Sequence, residues 1–153
     1  MASEWGGLTA SGSVVLNMER RFAAPRERVW RAWTSPDEIR RWWSKGKNTV
    51  EECVYELHPG GRLRLTIRGA ESGNLFVVNG TILEVDPPRR VVHTWVWEKG
   101  PIPGHPTRVT VEFHDEGDAT RVALRHEGFP DDTAGDLHRG GWTSQFDGIA
   151  AYL

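Results

Sequence analysis

The most restrictive feature of this sequence is a long run of alternating apolar and polar residues that no helical segment interrupts. It extends from Val50 to Phe129, and Leu63, Leu65 and Ile67 show the alternation most clearly. Parallel strands need a helix or a comparably long crossover between them, and this run holds none. We therefore predict about six consecutive strands in one antiparallel sheet, with one face buried and the other in water.

Turn-forming residues divide this run into strands. Pro59–Gly61 and Asp86–Pro88 are typical turn sequences, and the loop 100–106 contains three prolines. Asn79-Gly80 is also a common hairpin sequence. Because residues 76–85 keep a single alternation, we predict one long strand there, with Gly80 as a bulge or a point of close backbone approach.

Upstream of the strand run, the pattern changes to helical. Residues 13–23 alternate as a further strand, Pro25 suits the first turn of a helix, and a second short helix is predicted from Pro36. Ser35 and Glu38 have the spacing of a capping box for that second helix. The chain is therefore expected to form one strand and two short helices before the strand run.

A further helix is predicted at the C-terminal end. Trp142, Phe146, Ile149 and Leu153 recur at i, i+4, i+7 and i+11, which is the apolar stripe of a helix. The pair Gly140-Gly141 is a poor helix former, so we expect the helix to begin there or to be kinked. Helices covering one face of an antiparallel sheet make an α+β fold. A long helix across the concave side of a curved sheet encloses an elongated cavity.

Length and cysteine content indicate one domain in a reducing compartment. The 153 residues suit a single domain, predicted over 13–153, and the Gly- and Ser-containing residues 1–12 are expected to form a flexible tail. The single cysteine, Cys53, excludes an internal disulfide, so we expect a cytoplasmic location and a small buried side chain at this position. No apolar run is long enough to span a membrane.

The charge balance argues against a general nucleic-acid-binding protein, because the formal net charge is -2. Six arginines are predicted to point away from the core on their strands, with Glu56 and Glu112 interleaved among them. We interpret them as a solvated sheet face carrying cross-strand pairs, with a surface for nucleic acid or an acidic partner as the alternative. These arginines are Arg62, Arg64, Arg68, Arg108, Arg121 and Arg125.

The sequence shows no signature of a metal or cofactor site. The six histidines have no i, i+2 or i, i+4 ligand spacing, and Cys53 stands alone. Nucleophile-elbow and phosphate-binding glycine motifs do not occur. We therefore predict neither a metal nor a cofactor.

Aromatic residues give the strongest indication of a binding site, since the chain contains eight tryptophans. Trp95 and Trp97 share one strand face and Trp142 lies on the helical stripe, so all three are expected to face the space between sheet and helix. Aromatic walls suit ring-containing ligands. The candidate ligand-binding residues are Trp33, Trp42, Tyr55, Leu65, His93, Trp95, Trp97, Val111, Phe113, Leu124, His126, Trp142 and Phe146.

His93 and His126 are the two candidate acid–base groups. Alternation places each on the inward face of its strand, His93 beside Trp95. An inward imidazole can transfer protons near neutral pH, with Tyr55 and Glu84 as candidate partners. A histidine that is hydrogen-bonded within a mixed core is the other interpretation, and the sequence leaves both open.

An ordered set of short segments resembles a known superfamily. Over roughly residues 14–153 the chain resembles START/Bet v 1-like (SRPBCC) proteins and, among them, the family named after the activator of Hsp90 ATPase. That resemblance implies a helix-grip fold, in which a curved antiparallel sheet wraps around a long C-terminal helix. The matching segments are Glu19–Pro25, Val29–Ala32, Trp42-Trp43, Pro59–Arg62, Gly80, Glu84–Arg90, Thr94-Trp95, Thr120–Phe129 and Gly141-Trp142.

Proteins of one fold can have different functions, because fold does not fix function. The resemblance therefore implies three classes of function. Our first hypothesis is that a monomer or homodimer binds a small hydrophobic, aromatic or polyketide-like ligand in an internal cavity. The second is a cyclase, dehydratase or hydrolase-like enzyme that uses His93 or His126 as acid or base. The third is an interaction module that activates a chaperone ATPase.

Overall fold

Seven strands and three helices make up the described part of the chain, which in this computed structural model is residues 12–43 and 47–153. Residues 1–11 of the tail expected over 1–12 lie outside these ranges, as do residues 44–46. The elements are, in chain order, β1 (Val14–Phe22), α1 (Arg26–Thr34), α2 (Pro36–Trp42), β2 (Asn48–Tyr55), β3 (Arg62–Gly69), β4 (Leu75–Asp86), β5 (Arg90–Lys99), β6 (Thr107–Glu116), β7 (Ala119–Phe129) and α3 (Asp132–Tyr152).

The strands form one curved sheet in the order β1-β7-β6-β5-β4-β3-β2. Every neighbouring pair is antiparallel, and the six strands from β2 to β7 follow one another in space as they do in sequence. The first strand of the chain pairs with the last, because α1 and α2 carry the chain from one edge of the sheet to the other. The predicted α+β helix-grip fold is therefore confirmed.

β4 is a single strand of twelve residues through Asn79-Gly80, as its alternation predicts. The reason for glycine there is the proximity of β5. A Cβ atom built on Gly80 would lie 2.2 Å from the carbonyl oxygen of Thr94, which is far inside van der Waals contact. Gly80 is therefore a point of close backbone approach.

α3 is a continuous helix of 21 residues, so the expectation that it begins near Gly140-Gly141 was wrong. Asp131 caps its N-terminus, and its side chain accepts a hydrogen bond from the backbone N–H of Ala134 at 2.9 Å. The first half also buries Ala134, Gly135 and His138 against the sheet. Capping and tertiary burial together outweigh the poor helix propensity of two glycines.

The capping box predicted for α2 is also wrong, since the Ser35 side chain makes no capping hydrogen bond. The Glu38 carboxylate instead accepts hydrogen bonds from Arg28 of α1 at 2.6 Å and from the Tyr152 hydroxyl of α3 at 2.7 Å. Burial raises the pKa of Glu38, but these hydrogen bonds outweigh burial and hold the pKa below its ordinary value. Glu38 therefore joins all three helices.

The outward face of the sheet is charge-balanced. Each of the six arginines predicted there lies within 4 Å of a carboxylate, and the shortest pairs are Arg64–Glu52, Arg68–Glu51 and Arg121–Glu19, each at 2.9 Å. This pairing supports the interpretation of a solvated face. Within the described ranges, no helix has the length and apolar character needed to cross a membrane.

Candidate functional site

An apolar cavity, which we call the main cavity, lies between α3 and strands β3 to β5. Its volume is about 200 Å³, and apolar atoms dominate its wall. Four indole rings face it, from Trp43, Trp95, Trp97 and Trp142. The other residues around it are Asn48, Ile67, Phe76, Pro101, Leu137, His138, Gly141 and Gln145.

Two sequence periodicities bring the walls of this cavity together. Alternation along β5 places Trp95 and Trp97 on the same side of the sheet, and spacing of i, i+4 along α3 places His138 and Trp142 on the same side of the helix. The Trp95 and Trp142 rings meet with centroids 5.3 Å apart. The cavity therefore lies between the inward-facing side chains of β5 and those of α3, which are in contact at Trp95 and Trp142.

Two indole–imidazole hydrogen bonds cross between sheet and helix at this cavity. The Trp97 Nε1–H of β5 donates to Nε2 of His138 on α3 at 3.0 Å, and the Trp142 Nε1–H of α3 donates to Nδ1 of His126 on β7 at 3.0 Å. Each bond fixes the rotation of one indole of the cavity wall. Because both imidazoles act as acceptors, both are neutral.

His126 lies behind the indole of Trp142 and has both ring nitrogens engaged. The Thr107 hydroxyl donates to the carbonyl oxygen of Trp95 at 2.7 Å, so it accepts from His126 Nε2–H, also at 2.7 Å. Burial, with His138 and His93 nearby, lowers the pKa of His126 well below its ordinary value. The hydrogen-bonded core interpretation is therefore correct for His126, which borders neither cavity described here.

His138 is a residue of the cavity wall that the sequence prediction missed. Its Nδ1–H donates to the carbonyl oxygen of Ala134 at 2.7 Å, which leaves Nε2 to accept from Trp97. Burial lowers the pKa of His138. The signal for it was present, because His138 extends the helical stripe of Trp142 and Phe146 by four residues toward the N-terminus.

A second, smaller space adjoins Trp95 and Trp142 as well, and we call it the inner cavity. Its volume is about 20 Å³, and it shares Trp43, Trp95 and Trp142 with the main cavity. Tyr55 and His93 also face it. The remaining residues around it are Trp33, Ile39, Trp42, Leu63 and Leu65.

Polar atoms of the inner cavity are incompletely hydrogen-bonded. The Tyr55 hydroxyl and the Trp95 indole N–H are buried without a hydrogen-bond partner among the described residues. His93 donates from Nδ1 to the carbonyl oxygen of Thr94 at 2.9 Å, so its Nε2 is an acceptor. Burial lowers the pKa of His93 to about 4 and raises that of Tyr55, so both side chains are neutral at pH 7.

The thirteen predicted site residues divide into three groups. Trp95, Trp97 and Trp142 border the main cavity. Trp33, Trp42, Tyr55, Leu65 and His93 border the inner cavity, as do Trp95 and Trp142. The other five lie in the packed core, because α1 and α3 cover β6 and β7 directly: Val111, Phe113, Leu124, His126 and Phe146.

Several other chemistry-bearing residues are placed away from the cavities. Glu84 is exposed and pairs with Arg90 at 3.1 Å, so the partnership with a cavity histidine considered above was wrong. Cys53 is buried, and burial raises its pKa to about 11, which makes it an unreactive thiol. The described ranges hold no group of three or more histidine, cysteine or acidic side chains that could bind a metal.

The sequence profile described as Activator of Hsp90 ATPase homolog 1-like protein matches residues 23–153. The chain belongs to this family. The match covers every helix and the six strands β2 to β7, and therefore all residues that face the two cavities of this AHSA1-like protein. A comparison with curated proteins gives no match.

Solved structures show the same fold in other AHSA1-like and related proteins. Protein CV1439 from Chromobacterium violaceum superposes with a TM-score of 0.81 at 22% identity, over 91% of this chain and 96% of that one. The AHSA1 protein SPO3351 from Silicibacter pomeroyi gives 0.79 at 28% identity, over 92% and 97% of the two chains. CalU16 from Micromonospora echinospora gives 0.67 at 28% identity, over 90% and 74%.

Proposed function

We propose that this protein binds a small aromatic molecule of one or two rings in the main cavity. Proteins of this family commonly bind hydrophobic ligands, which is the general class to which the proposal belongs. The observation that carries it is the wall of four indoles around an apolar space of about 200 Å³. Flat rings gain both buried apolar area and stacking from such walls.

The volume sets the size of the ligand. An apolar protein cavity of about 150 Å³ accommodates benzene. A space of about 200 Å³ therefore suits one ring with substituents or two fused rings. Polyketides of several fused rings and long-chain lipids need more space than this cavity provides.

Binding is better supported than acid–base catalysis by a histidine. His126 uses both ring nitrogens within the core, and His93 faces a space large enough for about one non-hydrogen atom. A general base must reach the proton that it removes, and neither His93 nor His126 lies on the wall of the main cavity. His138 does lie there, but both of its ring nitrogens are engaged in hydrogen bonds with Ala134 and Trp97. No contact of the described residues favours the chaperone-activating alternative.

Two adjacent glycines provide a matched test of the proposal. A Cβ atom on Gly140 or Gly141 would meet no atom within 4 Å, but only Gly141 borders the main cavity. Titration calorimetry with indane and 1-indanone should show binding to the wild-type protein, binding at least tenfold weaker to Gly141→Leu, and unchanged binding to Gly140→Leu. If the wild-type protein binds neither compound, or if both variants bind as it does, the proposal is wrong.

A further inference from the structure

The inner cavity contains hydrogen-bond donors that the described part of the protein leaves unused. The Tyr55 hydroxyl and the Trp95 indole N–H are both buried, and neither has a partner among those residues. Leaving a buried donor unpaired is unfavourable, and native proteins rarely do so without a ligand or an ordered water. Tyr55 borders the inner cavity and Trp95 borders both cavities, so the two donors together indicate an occupant where these spaces adjoin.

These side chains are close neighbours. The Tyr55 and His93 rings have centroids 6.0 Å apart, and His93 and Trp95 have centroids 6.1 Å apart. Trp43, Trp95 and Trp142 border both cavities, so the two spaces adjoin at these indoles. A molecule stacked on Trp95 in the main cavity is therefore adjacent to the inner cavity.

The two unpartnered donors require a hydrogen-bond acceptor, beside the one acceptor that the wall of the inner cavity already carries, Nε2 of His93. An indole N–H can only donate. Burial raises the pKa of Tyr55, so its hydroxyl keeps its proton and can donate as well. A volume of about 20 Å³ accommodates about one non-hydrogen atom. One oxygen atom that accepts two hydrogen bonds matches both the volume and the donors, and either an ordered water or the carbonyl oxygen of a ligand provides such an atom.

We propose that the ligand of this protein is an aromatic ketone or aldehyde whose rings occupy the main cavity and whose carbonyl oxygen enters the inner cavity, where it accepts hydrogen bonds from Tyr55 and Trp95. This inference rests on the proposed aromatic binding function and specifies its ligand class. The rings supply most of the affinity, and the carbonyl oxygen supplies the selectivity. Each neutral hydrogen bond contributes about two- to tenfold in affinity.

The test compares three bicyclic compounds of similar size by titration calorimetry: indane, 1-indanone and 1-indanol. The wild-type protein should bind 1-indanone about tenfold more tightly than indane, as one or two neutral hydrogen bonds allow. Tyr55→Phe should reduce this preference about two- to tenfold and leave indane affinity unchanged. The infrared carbonyl stretch of bound 1-indanone should lie at lower frequency in wild type than in Tyr55→Phe.

Tyr55→Phe should fold, because it removes an unpartnered buried hydroxyl and keeps the ring. Equal binding of indane and 1-indanone, unaffected by Tyr55→Phe, would overturn the carbonyl assignment while the aromatic binding function stands. Tighter binding of 1-indanol than of 1-indanone would also overturn it. If none of the three compounds binds, the underlying binding function fails, so the two failures are distinguishable.

Discussion

Lowering the pH from 7 to 5 should destabilise the fold through His93, and burial of the imidazole sets the size of the loss. The pKa of His93 falls from its ordinary value of 6.5 to about 4 in the folded chain, and desolvation is the main cause. The unfolded chain therefore takes up a proton on this residue at higher pH than the folded chain does. The contribution of His93 to the free energy of unfolding is fully present above about pH 6.5 and is lost as the pH falls toward 4.

The magnitude follows from the two pKa values. At pH 5 nearly every unfolded molecule carries the proton on His93, whereas about a tenth of the folded molecules do. The difference in proton binding corresponds to a loss of about 2 kcal/mol in the free energy of unfolding relative to pH 7. His126 and His138 act in the same direction, because burial lowers the pKa of both.

Denaturant unfolding at pH 7 and pH 5 isolates this contribution. His93→Gln should reduce the pH dependence of the unfolding free energy by about 2 kcal/mol. The carboxylates and the other histidines titrate in both proteins, so their contributions largely cancel. The same substitution at the exposed His58 controls for the loss of a histidine as such and should leave most of the pH dependence in place. An unchanged pH dependence in His93→Gln would refute the reasoning from burial.

Two further predictions concern packing, and denaturant unfolding measures both. Phe146→Ala should lower the free energy of unfolding by about 3–5 kcal/mol, because Phe146 packs edge-to-face on Phe22 in the core. Leu137 lies on the same helix and is 59% exposed, so Leu137→Ala should lower it by less than about 1 kcal/mol. Gly80→Ala should cost about 1–3 kcal/mol because its Cβ would meet Thr94, whereas Gly140→Ala should stabilise α3 by about 0.5–1 kcal/mol. Equal effects within either pair would contradict the assigned packing.

Local patterns were sufficient to predict the sheet and its orientation. Alternation showed that residues 76–85 form one strand in spite of Asn79-Gly80, and the antiparallel order followed from the lack of helical crossovers. Alternation also placed Trp95 and Trp97 on the inward face of β5. These inferences succeed because side-chain direction along a strand depends only on the backbone period of two.

Other features depend on residues far apart in the chain, and local patterns do not contain them. The beginning of α3 depends on burial of its first half against the sheet, and Glu38 bonds to Tyr152 rather than forming the local capping box. In each case a tertiary contact competes with a local preference of about 1 kcal/mol and outweighs it.

By itself, the sequence determined which side of each strand and helix faces inward. Only the tertiary structure decided where the inward side chains leave space. Phe113 and Phe146 fill the core under α1 and α3, whereas Trp97 borders a cavity because its indole is held by His138, 41 positions away. Whether a space is filled depends on side chains from both walls, and periodicity along one element describes only one wall.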